Sequence, residues 1–258
     1  MLSKLLKYEF KSTARILLPM YIAVIIYSAL CRGLYMLSEK LRVLEYFIVF
    51  MYFLYFVLVV AVVVVTFVLV IQRFYKNLMG DEGYLMFTLP VEPRNHIITK
   101  SLTAFIWTIV SVIVAFISIV VLFFSPEVID GIKEILAQIP AEFVPTVIYT
   151  IVLLIFNLLS GIFMIYTAMS IGQLVSGHKL LGSAVAYFGL YVVNQIVMAS
   201  ILGVFGYANR TSLFVESITI TSSMLLPLII LITVVYAVFI CAYFFVTNYI
   251  FKNKLNLE

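Results

Sequence analysis

Residues Glu45 to Arg73 read EYFIVFMYFLYFVLVVAVVVVTFVLVIQR, and the charges at the two ends enclose 27 residues that carry none. A helix crossing the hydrocarbon of a bilayer needs roughly 20 apolar residues, each advancing it about 1.5 Å. This run is long enough. Its apolar residues are continuous rather than alternating, which excludes a barrel strand. The β-branched stretch from Val57 to Val65 does not alter the reading, because in lipid only a helix satisfies its own backbone without a partner strand.

The same measurement extends outward along the chain. Lys100 and Glu127 enclose 26 uncharged residues, Glu142 and His178 enclose 35, Lys179 and Arg210 enclose 30, and Glu216 and Lys252 enclose 35. The first run is shorter, since Arg15 and Arg32 enclose only 16 residues, but Leu34 to Leu37 continue the apolar pattern past Arg32. Six spans are expected, at 16–37, 46–72, 98–124, 146–172, 180–205 and 224–250, within one all-α transmembrane domain covering 1–258. Composition agrees: 65% of residues are hydrophobic and 11% charged, with a mean hydropathy of +1.20. A soluble domain is about half apolar and about a quarter charged, so lipid must be the main solvent here. A cleaved signal peptide over 1–31 competes for the first run. Ser28-Ala29-Leu30-Cys31 is a poor small-x-small cleavage site, and five further spans follow. Cys31 and Cys241 lie in or beside apolar runs and read as small apolar residues rather than a disulfide framework.

The net charge of +4 is a statement about topology and not about nucleic acid. Positive residues beside spans stay in the cytoplasm. With the N-terminus inside, 11 Lys and Arg residues fall inside and five outside, namely Arg32, Lys40, Arg42, Lys133 and Arg210. An even number of spans then returns the C-terminus to the cytoplasm. Two segments have an amphipathic pattern. Within an N-terminal interfacial helix expected over 1–14, Leu2, Leu5, Leu6 and Phe10 oppose Lys4, Lys7, Glu9 and Lys11, which suits a helix lying flat on an anionic leaflet. Within an outer segment at 126–140, opened by Ser125-Pro126, Val128, Ile132, Ile135, Leu136 and Ile139 oppose Asp130, Lys133, Glu134 and Gln138. Interfacial packing alone accounts for both patterns.

No catalytic or metal-binding pattern is present. The two histidines, His96 and His178, stand apart near membrane edges, and no HExxH, CxxC or GxSxG occurs. The nearest approach to a phosphate loop, Gly172 to Lys179, places the lysine one position late, lacks the following Ser or Thr, and follows no strand. The polar features of spans four to six are Asn157, Gln173, Asn194, Gln195 and Asn248. Such amides either hydrogen-bond between helices or line a translocation path; Asn157, Asn194 and Gln195 are the path candidates. Arg32 either snorkels to the outer surface or faces a substrate. Asn209-Arg210-Thr211 matches a glycosylation sequon of a kind that arises by chance. Small residues recur four apart at Ala168, Gly172 and Ser176, and again at Gly182 and Ala186, a spacing that lets helix backbones approach.

The least membrane-like stretch is the cytoplasmic loop 73–97. Its centre, Met79 to Val91, reads MGDEGYLMFTLPV: two acids suited to a helix's first turn, then an aromatic and apolar stretch closed by Pro90. Leu85, Met86, Phe87 and Leu89 make an apolar knob that either docks on a partner or folds back onto the membrane. At this point the chain resembles the permease subunits of type-2 ABC exporters, especially the short six-span bacterial kind. The resemblance is carried by Met1 to Leu18 (MLSKLLKYEFKSTARILL) and Arg73 to Trp107 (RFYKNLMGDEGYLMFTLPVEPRNHIITKSLTAFIW), with the six-span profile agreeing over the whole chain. Glu92 departs from the pattern, standing where a small polar residue is expected.

The resemblance implies that the loop forms a coupling helix seated in a groove of a separate ATPase, with Asp81, Glu82, Tyr84, Leu85, Phe87 and Thr88 facing it. It also implies that the N-terminal segment is the family's connecting helix. Two permeases, as a homodimer or heterodimer, would work with two ATPases in a bacterial plasma membrane. ATP and Mg would be held by the ATPases, and this chain would carry no cofactor. The cargo expected for so apolar a path is a peptide, lipid or amphipathic drug. The 128–139 segment and the 206–222 loop are then expected to form an outer gate. A membrane sensor that binds such an ATPase without transporting anything is the alternative.

Overall fold

The computed structural model describes residues 2–38, 45–78, 92–138, 140–175, 177–208 and 222–254. These residues are 95% helical, and no strand occurs among them. The helices are α1 (Leu2–Ser38), α2 (Glu45–Leu78), α3 (Pro93–Leu122), α4 (Pro126–Gln138), α5 (Val144–Gly172), α6 (Lys179–Ala208) and α7 (Ser222–Asn253), with a single 3₁₀ turn at Ala141–Phe143 leading into α5. All except α4 are long and apolar enough to cross a membrane, which makes six candidate spans. The protein is a multi-pass membrane protein.

Helix boundaries follow the local chemistry. Pro93 opens α3 and Pro145 sits in the first turn of α5, positions where the missing N–H costs nothing. Pro126 opens α4, and there the Val128 N–H donates to Ser125 Oγ at 3.2 Å, an N-cap of the ordinary kind. The outer segment is therefore a helix, ending at Gln138. Its apolar residues Val128, Ile132 and Ile135 are exposed.

Two expectations need correction. The interfacial helix 1–14 and the span 16–37 are one continuous helix, α1. Nothing between Ser12 and Leu18 breaks a helix, and the Thr13 hydroxyl donates to the Glu9 carbonyl at 2.9 Å, within the turn where a break would be needed. Pro19 lies inside α1, as membrane helices tolerate. The loop 73–97 is also shorter than expected, because α2 continues through Leu78 and α3 begins at Pro93. The six expected docking residues, Asp81 to Thr88, lie outside the described residues, as do most of the 206–222 loop and the sequon.

The chain divides into two compact units. The first comprises 1–74 and 95–138, the second 75–94 and 139–258. In the first, the buried side chains of α1 fall at Glu9, Thr13, Leu17, Tyr21, Val24, Ser28 and Cys31, steps of four and three. On α2 they recur at Ile48, Tyr55, Val62 and Leu69, and Trp107, Ser111, Ser118 and Leu122 do the same on α3. This heptad stripe is the pattern of helices packed at a shallow left-handed crossing. Because lipid is as apolar as leucine, helices in a membrane are held by packing and by hydrogen bonds between them. Tyr21 Oη and Ser111 Oγ lie 2.6 Å apart, Thr66 Oγ1 and Ser111 Oγ 2.8 Å, and Tyr55 Oη and Ser118 Oγ 2.8 Å. In the second unit α5 packs extensively on both α6 and α7, while α6 and α7 touch little. Residues Ile162 to Ser170 of α5 are all buried. Thr167 links α5 to α7, with its hydroxyl 3.0 Å from Thr247 Oγ1 and 3.1 Å from the Tyr243 carbonyl. None of the residues of α6 is buried.

Candidate functional site

The α5–α6 hairpin depends on small residues. Gly172 is so close to α6 that a Cβ there would lie 2.0 Å from Ser183 Oγ and 2.4 Å from Ser183 N. A Cβ on Gly182 would meet the Gly172 Cα at 3.3 Å. The near phosphate loop is this hairpin: Gly172 ends one helix, Lys179 begins the next, and Gly177 turns the chain with φ of +91°.

Farther along the same helices the packing opens. Ser160 and Gly161 leave room on α5, and a Cβ on Gly161 would meet nothing within 4 Å. The result is a cavity of about 230 Å³ bounded by α5, α6 and α7. On α6, Tyr187, Tyr191, Asn194, Gln195 and Met198 face it at helical spacing, so one side of the helix supplies the lining. Asn157 is the 14th of 29 residues in α5, Asn194 the 16th of 30 in α6, and Tyr236 of α7 the 15th of 32. The polar groups therefore sit at the middle of three membrane-length helices, where polar side chains are most costly and most often functional.

Within the cavity the Asn157 amide donates to Tyr236 Oη at 2.7 Å, joining α5 to α7. Gln195 Nε2 donates to Tyr191 Oη, one turn earlier on α6, at 2.7 Å. Asn194 Nδ2 reaches Met164 Sδ at 3.7 Å, a weak contact to α5. Two buried oxygens of the lining have no hydrogen-bond partner among the described residues: Asn194 Oδ1 and Ser160 Oγ. Among the described residues, the lining includes no Asp, Glu, Lys, Arg or His. The cavity can thus exchange hydrogen bonds with a guest but offers no charge to neutralise one.

The path candidates Asn157, Asn194 and Gln195 are brought together here. Arg32 is not: it lies on α1 in the other unit, its guanidinium carbon 5.5 Å from the centre of the Tyr35 ring. Gln173 caps the end of α5, and Asn248 borders a separate hollow with Arg94 and Lys252. Glu92, the departure in the loop pattern, ion-pairs with Arg94 on the exposed surface.

Sequence reasoning also missed a buried charge cluster in the first unit. Glu9, read as part of a polar face, is buried and ion-paired to Lys100, which is also buried. Arg73 Nη1 approaches Glu9 Oε2 at 3.6 Å, and Arg73 Nη2 donates to Ser12 Oγ at 3.0 Å. One carboxylate from α1 thus joins cations of α2 and α3. The available signal was that Glu9 is the only acid in a strongly basic first 15 residues. Ser160, Tyr191 and Tyr236 were missed because a lone serine or tyrosine in an apolar run gives no signal of its own.

Comparison of the chain with family models, with curated proteins and with solved structures returned no match.

Proposed function

We propose that the chain is the membrane-spanning permease subunit of a type-2 ATP-binding cassette exporter. The observation that carries the reading is the wording of the segment between the second and third spans, from Asp81 to Val91, in a chain with six helices of membrane-crossing length. That segment is tethered at both ends, between the end of α2 at Leu78 and the start of α3 at Pro93. Asp81, Glu82, Tyr84, Leu85, Phe87 and Thr88 dock in a separate ATPase that holds ATP and Mg. Two ATPases and a second permease complete the machine, in a bacterial plasma membrane with both termini of this chain in the cytoplasm. Closure of the ATPases moves the docked segments and shifts the permease between two accessible states. The cargo is an amphipathic peptide, lipid or drug, and the neutral mid-helix cavity supports a path for such molecules.

The test is co-expression with the ATPase encoded beside the gene, purification through a tag on this chain, and an ATP-hydrolysis assay in lipid. A stable complex that hydrolyses ATP is expected. Glu82→Ala and Leu85→Asp should each cut co-purified ATPase about tenfold while membrane insertion is unchanged. If both variants retain full ATPase and transport, the docking assignment is wrong. ATPase capture with no cargo-stimulated hydrolysis would favour the non-transporting sensor.

A further inference from the structure

We propose that the cavity between α5, α6 and α7 is a binding site for a neutral, amide-bearing amphiphile of the size of a single capped amino acid. Three observations converge on that chemistry. The first is charge: the lining includes no Asp, Glu, Lys, Arg or His among the described residues, and it sits mid-helix. An ion buried there would lack a counter-charge, which low-dielectric surroundings penalise strongly. A neutral guest incurs no such cost.

The second observation is the hydrogen-bonding inventory. Carboxamides both donate and accept, and each of Asn157, Asn194 and Gln195 has used only one donor on a neighbour. Ser160 is 1% exposed and its Oγ has no partner, and Asn194 Oδ1 is likewise buried and unpaired. A guest amide brings both missing kinds of group, an N–H for Asn194 Oδ1 and a C=O for the Ser160 hydroxyl, and meets them through side-chain rotation, since both oxygens are covered in this conformation. Unsatisfied buried polar atoms call for an explanation in a folded protein, and a guest amide supplies it.

The third is room. Gly161 faces open space in the lining, and Met164, Met198 and Tyr187 offer soft and aromatic surface for apolar side chains. The volume of about 230 Å³ lies just under the range of ordinary small-molecule pockets. Treating the bound amphiphile as export cargo rests on the exporter reading; the binding itself does not.

The probe is a diazirine-bearing leucine analogue capped as its N-acetyl methylamide, applied to the purified full chain in lipid nanodiscs without any ATPase. Photolabelled peptides are then mapped by mass spectrometry. Labelling is expected on the peptides containing Met164, Met198 or Tyr236. The non-photoreactive capped leucine should compete at least tenfold better than zwitterionic leucine, and better than an ester isostere lacking the N–H. Gly161→Leu, which fills the space, should abolish labelling, and Asn194→Leu should weaken it about tenfold. Gly189→Ala, on α6 outside the lining, also adds a single methyl into open space and serves as the control that retains labelling, and a cooperative melting transition in Gly161→Leu shows that its lost labelling is not lost folding. Labelling elsewhere only, equal competition by the zwitterion, or labelling that Gly161→Leu leaves intact would each overturn the proposal. Because no ATPase is present, failure of the exporter reading leaves this result untouched. Binding without any change in ATP hydrolysis by the assembled complex would remove the cargo role and not the site.

Discussion

At the scale of the residue, Glu9 is the most consequential side chain outside the cavity. It is shared by Lys100 and Arg73, and removing it takes away the buried carboxylate that both cations approach. Breaking a buried pair from one side typically costs about 3–5 kcal/mol, whereas replacing both partners by apolar groups is often neutral. Glu9→Ala should therefore lower stability by roughly 3 kcal/mol, read as an earlier midpoint in denaturant titration of the reconstituted protein. Glu9→Met combined with Lys100→Met should recover most of that loss; equal loss in both variants would show that the pairing contributes little. A gentler loss, about 1 kcal/mol, is expected for Thr167→Val, which removes the hydroxyl bridging α5 to α7. These residues also show what a sequence withholds. Asn157, Asn194 and Gln195 are conspicuous because amides are rare in apolar runs, so their candidacy was visible from the letters. Glu9 was not visible in the same way. Whether a charge at a helix end faces water or a neighbouring helix depends on which helices stand beside it.

At the scale of the element, two glycines of α5, Gly161 and Gly172, give opposite predictions. Gly172→Leu must force α5 away from the Ser183 backbone, and should destabilise by about 2 kcal/mol or more, as overpacking does. Gly161→Ala meets nothing, and should leave stability unchanged or raise it by up to about 1 kcal/mol through helix propensity. Thermal unfolding of the two variants in one detergent compares them directly, and a like response would contradict the packing described. The spans themselves were legible because an uninterrupted apolar run admits one solution in lipid. Their ends were less so. The span expected at 98–124 begins at Pro93 and ends at Leu122, and the flat segment expected at 1–14 continues into α1, because charged residues extend a helix out of the hydrocarbon without stopping it. Amphipathic spacing shows which face is polar; it does not show whether the helix bends.

At the scale of the molecule, the excess of 11 positive residues on one side over five on the other predicts orientation. In a background lacking Cys31 and Cys241, a membrane-impermeant maleimide should label Lys133→Cys in intact cells, and should label Lys179→Cys only after permeabilisation. The reverse pattern would invert the topology and move the Asp81–Val91 segment out of reach of any cytoplasmic ATPase. Within the second unit, α6 has no buried residue, contacts α7 sparingly, and meets α5 most tightly at Gly172 and Ser183, beside the hairpin turn. Mechanically this is a lever with its fulcrum at one end. The far end, Ala208, is 25 residues from Ser183, so a tilt of roughly 5° carries it about 3 Å sideways. Asn157, Tyr187, Tyr191 and Gln195 of the lining are already exposed, so the cavity is open at its edge and such a swing would widen that opening into a side door onto the bilayer. A guest using that door arrives already dissolved in lipid, and its occupancy is set by its concentration in the membrane, not in the surrounding water.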